Sequence, residues 1–305
     1  MGIRVKLFVI GPIKYINDEK KIRFRLSGPL ITGGFLLLEV GSYVNDKKSL
    51  ISYSNKYIKI LYGGLIATFT IICISVLFII KNKYTDICIM VLITNWLIFI
   101  SAFSRSTSVY GDYCLIDLLK RNPEFIISIF SVQFSSEYPI NNFIVEEAEL
   151  FVEKTLFKCE YNNMVLTLMN RIIDQKIVNG ENLSSNFINF KEWIFNFYFK
   201  SLKGYIMYDT KIIKVAYKML LHEYSLNKNN LKLDNYKSLE EFLTLNNYIN
   251  FKYFYRMSES LKGLFIDRIG FNEEYKEYIC DVGQILSECS NYKYLLEDII
   301  EKLRY

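Results

Sequence analysis

Few residues in this chain are placed to do chemistry. There is a single histidine, His222, in Leu221-His222-Glu223-Tyr224, at helical spacing with Lys214 and Lys218. Zinc hydrolysis built on helices needs two histidines one turn apart, a glutamate to activate the bound water and a further ligand. One histidine cannot supply that pair. Its company of two lysines predicts a surface residue on a polar helical face. The six cysteines (Cys73, Cys88, Cys114, Cys159, Cys280, Cys289) form no C-x-x-C pair and no disulfide-framework spacing. Cys73 and Cys88 fall in apolar runs, where a small apolar role is expected. Asp112, in Tyr110-Gly111-Asp112-Tyr113, has the composition of an N-cap for a helix beginning Tyr113-Cys114-Leu115-Ile116. Asn95 lies inside an apolar run, where an amide costs energy unless it is bonded. An interhelical hydrogen bond and a place lining a wet site both answer that need.

The elements that must position these groups begin with two apolar runs. Leu61–Ile80 and Ile87–Ser104 carry no charged residue, and about 20 apolar residues in a helix match a hydrocarbon layer of ~30 Å. Only Lys81–Asp86 separates them, so they read as two antiparallel transmembrane helices joined by a tight polar turn. Lys47, Lys48, Lys56 and Lys59 precede the first run, and Arg105, Lys120 and Arg121 follow the second, against Lys81 and Lys83 in the turn. That excess favours a multi-pass protein of the cell membrane with both termini cytoplasmic. Gly63, Gly64 and Ala67 put small side chains about one turn apart, which lets another helix approach closely.

Upstream, Arg4–Gly11 and Lys21–Leu26 are β-rich, with Ile22, Phe24 and Leu26 alternating with Arg23 and Arg25. Pro12 and Asn17-Asp18-Glu19 supply the break and the turn of a β-hairpin. The patch Phe35–Val40 is too short to span and reads as a membrane-surface or re-entrant segment. Downstream the pattern is helical. Asn122-Pro123-Glu124 is a helix start with an Asn cap, Pro at the first position and an acidic first turn. Apolar faces recur at Val165, Leu168, Met169 and Ile172; at Ile213, Ala216, Tyr217, Leu220, Leu221 and Tyr224; and at Tyr292, Leu295, Leu296, Ile299 and Leu303. These stripes, with their aromatics, predict core. No repeat of fixed period appears.

The expected fold class is thus mainly α: an N-terminal β-hairpin and membrane-surface segment over residues 1–56, a two-helix transmembrane hairpin over 57–106, and a C-terminal all-α soluble domain over 107–305. The net charge of +5 is mild, acidic and basic residues are interspersed, and no run of like charges suggests a nucleic-acid partner. No signal-peptide pattern opens the chain, and Lys6 breaks the myristoylation pattern. The Asn, Lys and Ile usage resembles a low-GC, Gram-positive bacterial coding bias.

The order of these features, VKLFVIGP and IRFRL, a Gly-Gly patch, a span opening YIKILYGGLIAT and a second span running into SVYGDY, resembles the site-2 protease family of intramembrane zinc metallopeptidases. The closest likeness is to divergent bacterial members linked to peptide maturation, over roughly residues 3–120. The resemblance implies a membrane helix bearing H-E-x-x-H and a later Asp, typically followed by Gly, as third zinc ligand. Asp112 matches that third-ligand position, with Tyr113 where the family has Gly, and Gly63-Gly64 matches the small-residue motif of the next span. The strand Lys21–Leu26, with Phe24, would offer an edge to an extended substrate.

H-E-x-x-H itself is absent from the sequence. The chain is therefore expected to be catalytically incomplete and to hold no stoichiometric zinc, the metal of a full-length relative. Met1-Gly2 falls about where such a relative ends its catalytic helix. A truncated reading frame and a degenerate homologue that keeps the scaffold for binding both fit. The expected partners are the lipid bilayer and a peptide or membrane-protein substrate. The other readings are a non-enzymatic membrane-anchored interaction protein and an accessory subunit of a peptide export or immunity system. On the family likeness the helix Asp112–Lys120 belongs at the membrane, so residues 107–121 should contribute little to the soluble half.

Overall fold

The computed structural model describes residues 5–10, 13–18, 21–26, 34–40, 43–81, 83–104, 111–130, 140–157, 163–200, 206–227, 233–267 and 290–304. The chain divides into two compact units, Met1–Ile129 and Phe130–Tyr305.

The first unit opens with four strands, β1 (Val5–Ile10), β2 (Ile13–Asp18), β3 (Lys21–Leu26) and β4 (Gly34–Leu38). They form one antiparallel sheet in the order β3-β2-β1-β4. Leu7 opposes Ile16 across β1 and β2, Tyr15 opposes Phe24 across β2 and β3, and Phe8 opposes Leu36 across β1 and β4. The N-terminal β-hairpin expected from sequence is thereby overturned. The two segments read as its arms do not pair, because β2 lies between them. Most of Phe35–Val40, read as a membrane-surface or re-entrant segment, is β4 and pairs with β1. A continuous apolar run does not by itself disclose a strand, whereas the pairing does.

Helix α1 (Lys47–Ile80) follows at 34 residues, about 51 Å at 1.5 Å per residue. Asp46 caps it: its Oδ1 accepts from the Ser49 amide at 2.7 Å, and Ser49 Oγ accepts from the Asp46 amide at 3.0 Å. These bonds, the Ser49 amide first, hold the Asp46 carboxyl below its ordinary pKa. The first turns bury Leu50, Tyr53, Ser54 and Ile58, while the later turns expose apolar side chains. The chain then reverses at Tyr84, in the left-handed region at φ 52°, into α2 (Thr85–Ser101), of 17 residues. By length and composition α1 can cross a membrane, whereas α2 is shorter. Among the described residues one helix passes that test, so the two-helix transmembrane hairpin of the expected fold class is corrected to one qualifying span. The second run ends early because Ala102–Ser104 turn, and the Ala102 carbonyl accepts from the Tyr113 amide at 3.0 Å. Helix α3 (Asp112–Arg121) buries Leu115, Ile116 and Leu119 and packs against α1. A 3-10 turn, Pro123–Phe125, bears the expected Asn cap, with Asn122 Oδ1 accepting from the Glu124 amide at 3.2 Å. The short α4 (Ile126–Ile129) completes the unit.

The described residues of the second unit are helical: α5 (Asn142–Phe157), α6 (Asn163–Asn179), α7 (Ser185–Trp193) running into a π-turn (Ile194–Tyr198), α8 (Ile206–Leu226), α9 (Leu233–Leu245), α10 (Lys252–Phe265) and α11 (Ser290–Arg304). Helices α6 and α8 pack on one another at the centre; α5 and α11 cover α6, and α9, α10 and α11 cover α8. The apolar faces anticipated on α6 and α8 are buried, as are Leu295, Ile299 and Leu303 of α11. Aromatic pairs, Phe199 on Phe242 at 4.6 Å and Tyr248 on Phe254 at 5.3 Å, join the end of the π-turn to α9 and the turn after α9 to α10. Burying rings of this size contributes more than any other side-chain type in the core.

Candidate functional site

Two groups of residues in this protein do more than fill space. The first surrounds Asp112, at the first turn of α3. Gly111, not Asp112, holds the cap position, and no side chain caps the helix there, so the N-cap reading of Asp112 fails. The cap must be glycine for a steric reason. A Cβ at Gly111 would sit 2.3 Å from the Ala102 carbonyl oxygen and 2.4 Å from that of Ser101. Gly111→Ala should therefore cost roughly 1–3 kcal/mol by overpacking. Gly63→Ala meets nothing within 4 Å and should be neutral or slightly stabilising. Thermal unfolding of both variants in detergent checks the contrast.

The Asp112 carboxyl lies alongside α1. A Cβ on Gly64 would be 4.0 Å from its Oδ2, and Tyr57 is close enough to feel its charge. Although the residue keeps an exposed side, desolvation against α1 raises its pKa. At the other end of α3, Lys120 donates to the Tyr62 hydroxyl at 2.8 Å with its ammonium 5.2 Å from the ring centre. That bond raises the Lys120 pKa. Cys114, next along the helix, points its thiol at the Phe103 carbonyl, 3.4 Å away.

The zinc implied by the family likeness does not fit these donors. Beside the Asp112 carboxylate stand a glycine and a tyrosine, and no group of three or more metal-binding side chains forms among the described residues. His222 belongs to the other unit. Of the remaining residues singled out from sequence, Phe24 pairs with Tyr15 through the backbone of β3. Asn95 donates from Nδ2 to the Val91 carbonyl at 2.8 Å, within its own helix rather than across to another.

Asn95 is one case of a wider pattern. Thr68, Thr70, Ser75, Thr94 and Ser101 also donate to carbonyls three or four residues back in their own helices, at 2.7–3.0 Å. Around them Ile66, Phe69, Leu77, Met90, Ile93 and Leu97 are each more than half exposed, up to 72% at Met90. The result is an apolar surface whose polar groups are satisfied from within, the condition a helix must meet in lipid.

The second group lies inside the C-terminal unit. Asp174 of α6 is fully buried, paired with Lys218 of α8 and lying 3.5 Å from Arg171. One turn further along α8, His222 is 4% exposed and its Nε2 is 2.8 Å from the Glu181 carbonyl oxygen. Lys191 of α7 pairs with Glu223, and Lys176 reaches both Glu149 and Glu181 at 2.9 Å. The expectation of a surface histidine beside exposed lysines is thus overturned. Helix α8 is wrapped by neighbours, so its polar face meets α6 instead of water. Desolvation lowers the His222 pKa, opposed by the Glu181 carbonyl. Sequence reasoning missed this belt. Its one signal is a run of charges on helices that are otherwise apolar on several faces. Comparison with protein-family models, curated proteins and solved structures finds no match to this chain.

Proposed function

We propose that this is a membrane-anchored binding protein. In this reading α1 crosses the bilayer with α2 packed back along it, and the C-terminal helical unit engages a peptide or membrane-protein partner from the aqueous side. The observation that carries it is the exposed apolar surface of α1 and α2, whose hydroxyl and amide groups bond to their own helix backbone. In water such a surface would cost about 25 cal/mol for each Å² left uncovered; in lipid it costs nothing. The likeness of the first 120 or so residues to site-2 proteases supports a partner that is itself a membrane protein or a pro-peptide. Binding is favoured over cleavage because the two-histidine pair is not in this sequence. A peptidase role would need those ligands from another source.

The lysines flanking the apolar runs support both ends of the chain in the cytoplasm, with Lys81 and Lys83 outside. A membrane-impermeant maleimide applied to intact cells tests the arrangement. It should label an engineered Asn82→Cys and leave Cys289 unlabelled until the cells are opened. Labelling of Cys289 alone would reverse the orientation, and recovery of the chain in the soluble fraction would end the membrane reading.

A further inference from the structure

The belt between α5, α6, α7 and α8 sets four cations against four carboxylates. Its cations are Arg171, Lys176, Lys191 and Lys218; its carboxylates are Glu149, Asp174, Glu181 and Glu223, each within ion-pairing distance of at least one of those cations. His222 sits among them, on α8 between Lys218 and the corner that joins α6 to α7. The Glu181 carbonyl can only accept, so the proton of the neutral ring is on Nε2 and Nδ1 is bare. A second proton must therefore enter at Nδ1, in a place 4% exposed, where the nearby carboxylates already have partners.

We propose that His222 is a pH-operated latch on the α6–α7 corner. Neutral, it pins the corner through the Glu181 carbonyl; protonated, it makes the buried belt net positive and the corner opens to let the ring reach water. The charges acting on the ring are Lys191 of α7, Glu223 of α8 itself and Lys176 of α6, while Glu181 at the corner acts through its backbone carbonyl. On the α10 side of α8, Tyr217 meets Ser260, and the Lys214 ammonium lies 4.9 Å from the centre of the Tyr253 ring. The sign follows from burial. The ring binds a proton more weakly with the corner closed than open, so the latch contributes fully above the ordinary imidazole pKa, about 6.5. Its contribution is lost as pH falls through the lower closed-state value. This device stands apart from the membrane reading, and either can fail alone.

Because the chain has one histidine, a proton NMR titration of the full-length protein, prepared without a histidine tag, needs no assignment. The expected midpoint is below 6.5. Amide hydrogen exchange over residues 181–188, corrected for intrinsic rates, should quicken between pH 7.5 and 5. The limit is about tenfold for each unit by which the closed-state pKa lies below the open-state one. His222→Gln can donate to the same carbonyl and never charges, so its exchange should not respond to pH. A wild-type midpoint at or above 6.5, or the same acid response in His222→Gln, would overturn the latch. Should that variant not fold, the wild-type midpoint decides alone.

Discussion

Asp174→Ala should destabilise the C-terminal unit by about 3–5 kcal/mol, the range for removing one partner of a buried ion pair. The carboxylate is fully buried, and its loss removes the anion that pairs with Lys218 and lies 3.5 Å from Arg171, cations that are 3–4% exposed. Lys218→Met should cost less, because Arg171 remains 3.5 Å from the carboxylate. The double variant Asp174→Leu/Lys218→Met should recover part of the loss, since it removes the buried Lys218 charge along with its partner while Arg171 stays. Urea unfolding of the full chain in detergent, followed by circular dichroism, ranks the three. If Lys218→Met proves as costly as Asp174→Ala, the anion is not the hub of the cluster.

Ile71→Arg is expected to have the other large effect, on membrane insertion. Ile71 lies near the middle of Leu61–Ile80 and is 41% exposed. Arginine at a helix centre costs about 2.5–3.5 kcal/mol on the insertion scale, on top of the isoleucine's own favourable contribution. That corresponds to a hundredfold or greater shift away from the inserted form. The control is Ile51→Arg, a similarly exposed position near the start of the same helix, which should leave insertion unchanged. The fraction resisting carbonate extraction reads both. Equal membrane retention of wild type and Ile71→Arg would remove lipid as the cover of this surface.

What the sequence discloses and what it hides divide along the range of the interactions. Local patterns were legible. The apolar runs correspond to the exposed stretches of α1 and α2, the Asn122 cap is present, and the stripes on α6 and α8, with Leu295, Ile299 and Leu303 of α11, are core. Features set by distant partners were not. The stretch Ile13–Asp18 has half its residues polar and gains its identity as a strand from neighbours on both sides. Lys218 looks solvated within any local window, because the carboxylate that holds it lies 44 residues away. At Gly111 a short dipeptide suggests a family motif, whereas the carbonyls of Ser101 and Ala102 supply the reason for glycine. The histidine was misplaced for the same cause. Helical spacing gives the face a residue occupies but not what lies opposite that face.

The continuity of α1 has a mechanical consequence. A single hydrogen-bonded rod runs from the Asp46 cap to Ile80 with no proline to interrupt it, so the collar gripped by α3 and the apolar shaft beyond it share one rotational phase. Each added residue turns a helix by about 100° and advances it about 1.5 Å. A torque applied to the collar through α3 would therefore reach the far tip of the shaft as rotation. The side chains that the shaft presents to whatever surrounds it are indexed to events at the opposite end, much as the bit of a key is indexed to its bow.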